Sequence, residues 1–78
     1  SDVYKRQDFK DMIPHDVTVT KANAMAILRI VHESAARGVR NPNAKRLHNA
    51  AMQQLRRAVS NAFAGAESMT GAKLLAGL

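Results

Sequence analysis

The residues best suited to chemistry lie in a stretch free of carboxylates. No acid stands between Glu33 and Glu67, and the thirty-three residues from 34 to 66 carry six of the twelve Lys and Arg. Arg37, Arg40, Lys45, Arg46, Arg56 and Arg57 supply the charge, with Asn49, Gln53, Ser60 and Asn61 interleaved. Guanidinium forks give paired hydrogen bonds to phosphate oxygens, an ammonium adds a point charge, and a carboxamide can read a base edge or a ribose. The candidate ligand-binding set is therefore Arg37, Arg40, Lys45, Arg46, Asn49, Arg56 and Arg57. The ligand it implies bears phosphate: a nucleotide, a cyclic nucleotide signal, or nucleic acid. The whole chain leans the same way, with 12 cations against 6 acids and a formal net charge of +6.

Base stacking is poorly provided for. Aromatic residues make up only 4% of the chain, there is no Trp, and Phe63 is the one aromatic in the expected helical body. That disfavours the stacking platforms of single-strand binders, and the expected helices are too long for a helix-turn-helix unit. Non-specific contact to phosphates needs neither feature.

Reactive chemistry has less support still. His15, His32 and His48 show no four-residue pairing, so no metal site is expected. His32 and Glu33 are neighbours and would point about 100° apart on a helix, a poor acid-base pair. Ser34, Ser60 and Ser68 lack a nucleophile elbow, glycine-rich phosphate loops are missing, and the absence of Cys closes thiolate, redox and disulfide chemistry. The expectation is a non-enzymatic protein without a cofactor.

These residues must be positioned by helices. Fourteen alanines, with Pro and Gly confined to a few places, predict an all-α fold. The first long helix is expected over Lys21–Arg37, capped by Thr18 or Thr20, with Ala24, Ile27, Leu28, Val31 and Ala35 on one apolar stripe. Arg37-Gly38 should end it through a left-handed glycine. Asn41 as N-cap and Pro42 in the first turn start a second helix that runs to about Ala64. The short connection predicts an antiparallel hairpin. Ala66–Leu78 reads as a short third helix, capped by Ser68 or Thr70 and weakened by Gly71 and Gly77. Val17-Thr18-Val19-Thr20 alternates like a strand, but without a second strand signal it is expected to be an extended arm laying Ile13, Val17 and Val19 on the helices.

Ser1–Gln7 resembles a translated sequencing-adapter tail of the kind found on reading frames assembled from metagenomic DNA. On that basis Met12 is the expected initiator, residues 1–11 are expected to be disordered, and 12–78 forms the single helical domain. Without the tail the charge is 10 minus 5, or +5.

The second helix carries two apolar seams on a helical wheel. Ala44, Leu47, Ala51, Ala58 and Ala62 form a narrow one; His48, Met52, Leu55, Val59 and Phe63 form a larger one. One hairpin partner can cover a single seam, so the larger is expected to be an oligomer seam that pairs with another copy, making a homo-oligomer bundle. No window is apolar enough for a transmembrane segment and no signal peptide is evident, so the expected location is cytoplasmic. In size and architecture the expected hairpin resembles the small phage-encoded helical sponges that act against host immunity. That resemblance implies a viral protein in the host cytoplasm that captures a nucleotide signal. The competing expectation is a structural or adaptor protein that works through its apolar seams.

Overall fold

Hydroxyl and carboxamide caps divide the chain as expected. In the computed structural model, which describes residues 2–78 with side chains from Tyr4 onward, the order is α1 (Asp2–Asp11), β1 (Thr18–Thr20), α2 (Lys21–Ala36), α3 (Pro42–Phe63), β2 (Ser68–Thr70) and α4 (Gly71–Ala76). Thr20 Oγ1 accepts from the Asn23 amide at 3.0 Å and caps α2. Asn41 Oδ1 accepts from the Asn43 and Ala44 amides at 2.8 and 3.4 Å and caps α3, with Pro42 in its first turn. Thr70 Oγ1 takes the Lys73 amide at 3.2 Å and caps α4. Such caps are worth about 1 kcal/mol each because they satisfy amides the helix cannot.

The helix ends differ from expectation in one respect. Gly38 stays out of the left-handed region, and α2 ends through Arg37 in a helical conformation with the Gly38 and Val39 amides donating to Ala35 and Ala36. The left-handed turn sits instead after α3, at Ala64 (φ 50, ψ 41) and Gly65 (φ 84).

Three corrections follow. The first concerns the arm. Thr18–Thr20 is a strand, paired antiparallel with Ser68–Thr70 in the register Thr18↔Thr70, Val19↔Met69 and Thr20↔Ser68, so the fold is mostly helical with a two-stranded sheet rather than all-α. Each strand leads through a Thr cap into a helix, and each helix's first amide crosses to the residue just before the other strand. Lys21 N–H donates to the Glu67 carbonyl at 2.8 Å, and Gly71 N–H donates to the Val17 carbonyl at 2.9 Å. The pairing thus satisfies helix-start donors as well as joining strands. Gly71 is required here: a Cβ at that position would overlap the Pro14 carbonyl. It is a packing device, not the weakness its helix propensity suggested.

The second concerns residues 1–11. Ser1 lies outside the described residues, but Asp2–Asp11 is helical, packs on α2 and α3, and buries Phe9 completely. Phe9 anchors this helix in the core, while Tyr4 is exposed.

The third concerns the large seam. His48, Met52, Leu55, Val59 and Phe63 are all buried within one copy. Phe9, Ile13 and Val19 from the N-terminal part and Leu74 from α4 join Leu28 and Val31 of α2 in the cluster around them. The seam is therefore not left open for a second copy, because the two ends of the chain provide the cover. Val17, expected on the body, is half-exposed, whereas Ile13 and Val19 are buried as expected.

Candidate ligand groove

α2 and α3 run antiparallel, and the side of the pair turned away from the core is not closed. A groove of about 590 Å³ opens between them, lined by Met25, Leu28, Arg29 and His32 from α2 and by Asn49, Met52, Gln53 and Arg56 from α3. Both sets follow the i, i+3, i+4, i+7 pattern, so each helix contributes one flank of its surface. A smaller recess of about 380 Å³ continues the groove and is lined by Lys21, Met25, Arg56, Arg57 and Ser60. Met25 and Arg56 belong to both parts.

Leu28 and Met52 are buried and make the floor, while Arg29, Asn49, Gln53 and Arg56 are exposed at the rim. Four cations, Lys21, Arg29, Arg56 and Arg57, border the combined groove, and none of its lining residues is an acid.

Behind the groove, His48 is buried, and neither ring nitrogen has a hydrogen-bond partner. Its ring centroid lies 4.6 Å from that of His32, with planes tilted by 49°. Burial pushes the His48 pKa below its ordinary value, the Lys5 charge and His32 push the same way, and the His32 backbone opposes them weakly without reaching hydrogen-bond geometry. The His48 ring therefore packs in the core without a carbonyl partner. Among the described residues no three His, Asp or Glu side chains gather as a metal would require.

The structure splits the sequence-derived set. Asn49 and Arg56 line the groove and Arg57 lines its recess. Arg37 and Arg40 sit in or beside the α2–α3 connection, and Lys45 and Arg46 lie in the opening turns of α3; none of these four lines the groove or its recess. Arg46 Nη2 instead donates to Asn43 Oδ1 at 3.1 Å. Sequence reasoning missed the opposite wall, Lys21, Met25, Arg29 and His32. Their four-residue spacing on the flank of the α2 stripe was the available signal, once an antiparallel partner is laid against it.

Searches against family models, curated proteins and solved structures returned no match to this chain. Among the described residues, no helix is long and apolar enough to cross a membrane.

Proposed function

We propose that this protein is a non-enzymatic binding module that holds a phosphate-bearing ligand in the groove between α2 and α3. One observation carries the reading: Lys21, Arg29, Arg56 and Arg57 converge from two helices on a continuous groove whose lining contains no carboxylate. A module of this kind acts by sequestration. In a host cytoplasm it would lower the free concentration of a nucleotide signal without altering it chemically.

The test is native mass spectrometry of the protein mixed separately with ATP, cyclic AMP and oligothymidylate, alongside the double variant Arg56→Glu, Arg57→Glu. Both arginines are exposed, so circular dichroism should be unchanged. At least one probe should be retained by the native protein and lost from the variant. Retention of none, or equal retention by both proteins, overturns the proposal.

The homo-oligomer and the adaptor reading rest on a different surface. With the large seam occupied, one surface left open to a second copy is that of α3 around Leu47, which is 72% exposed, with Ala44 exposed and Ala51 buried. Solution mass at two concentrations, with Leu47→Lys as the disrupting variant, tests that contact. A single-copy mass throughout removes it.

A further inference from the structure

The two parts of the groove differ in chemistry, and the difference narrows the ligand. The wide part has an apolar floor of Leu28 and Met52 with Met25 beside it, and its rim carries the Asn49 and Gln53 carboxamides, the His32 ring and Arg29. The recess is cationic, with Lys21, Arg56 and Arg57 around Ser60. An inorganic phosphate would use the recess and leave the apolar floor uncovered. A purely apolar ligand would do the reverse. A ligand satisfying both parts has a flat ring with apolar faces and a polar edge, joined by a short linker to a phosphate.

Resting on the phosphate-binding reading above, we infer that the groove takes a free nucleotide, its base over Met25, Leu28 and Met52 and its phosphate between Lys21, Arg56 and Arg57. Methionine sulfur packs favourably on aromatic faces, and a guanidinium such as that of Arg29 can stack on a base. Asn49 and Gln53 each offer a donor and an acceptor on one group, which is what recognition of a base edge needs. The main groove lies within the range of small-molecule sites, roughly 300–1,000 Å³. A polynucleotide fits less well: successive bases need stacking platforms, and Tyr4 is the one exposed aromatic among Tyr4, Phe9 and Phe63.

Titration calorimetry at fixed ionic strength tests this with nucleoside monophosphates of all four bases, ribose 5-phosphate and pyrophosphate as base-free phosphates, and oligothymidylate as the polymer. At least one mononucleotide should bind about tenfold or more tighter than ribose 5-phosphate, the margin that base-edge contacts supply. Asn49→Ala with Gln53→Ala should remove that margin while leaving ribose 5-phosphate binding unchanged; both side chains are exposed, so folding is not at risk. Arg56→Ala should weaken every phosphate-bearing probe. Equal binding of ribose 5-phosphate and all four nucleotides overturns the base site and leaves the phosphate reading standing. Tighter binding of oligothymidylate than of any mononucleotide overturns the free-nucleotide assignment. Absence of binding by every probe overturns both readings.

Discussion

Two faces of α3, one residue apart in register, do opposite work. His48, Leu55 and Val59 point into the core and Met52 both joins it and floors the groove, while Asn49, Gln53, Arg56 and Ser60, each one position further along, line the groove or its recess. A step of one residue turns a helix by about 100°, enough to move a side chain from a dry environment to a wet one. The inner face is apolar apart from His48 and fixes how α1, α2 and α4 are held. The groove face is polar and, with the facing flank of α2, makes the candidate site. Stability and recognition should therefore be separable by substitution on a single helix.

The largest effect is expected from the inner face. Phe63→Ala removes a fully buried ring and should cost about 3–5 kcal/mol in urea unfolding, with nucleotide affinity of the folded fraction unchanged. A loss of affinity at full folding would merge the two faces.

His48→Leu should act in the other direction, stabilising the protein by about 1–3 kcal/mol, because two buried nitrogens without partners are removed. The pH dependence sharpens this. The unfolded imidazole takes a proton near 6.5 and the folded one only at lower pH, so below 6.5 the unfolded chain binds more protons. The stability contributed by the neutral ring is complete above that value and falls as pH is lowered toward the depressed native pKa. Thermal unfolding between pH 7.5 and 5 should show this slope in the native protein and a shallower one in the Leu variant. Equal slopes would mean that His48 is solvated in the folded state.

On the groove face, Arg56→Ala should change unfolding free energy by no more than about 0.5 kcal/mol, since the side chain is exposed, while abolishing most of the ligand binding. A destabilisation above about 1 kcal/mol would show that the groove face also holds the fold. Smallest of all, Leu47→Lys should leave monomer stability within about 0.5 kcal/mol and nucleotide binding untouched, because that side chain lies on neither face. Its readout is the solution mass.

Part of the α3 wall of the candidate groove is legible in the chain. Asn49, Arg56 and Arg57 stand out because one helix, an acid-free run and a regular spacing suffice to group them. Arg29 and His32 do not, because Arg29 reads as a charged residue on the flank of α2 beside Glu33, and only the register of two helices brings it to the same groove as Arg56. The cations at the connection, Arg37, Arg40, Lys45 and Arg46, are close in sequence to the helix start but line neither the groove nor its recess. Phe9 stands in a segment of low apolar content, so its part in covering the large seam emerges only from the packing.

What the amino-acid order determined by itself is local. Thr20, Asn41 with Pro42, and Thr70 satisfy amides two or three residues away, so caps, helix limits and the two faces of α3 follow from spacing alone. The tertiary structure alone decided which surfaces meet: the pairing of Thr18 with Thr70 across fifty residues, the Pro14 carbonyl over Gly71, the entry of Phe9 into the core, and the facing of Arg29 and Arg56. The physical reason is that a cap is chosen among a few neighbouring donors. A long-range contact is chosen by burying apolar area against the entropy of closing the chain, a competition that involves every segment at once.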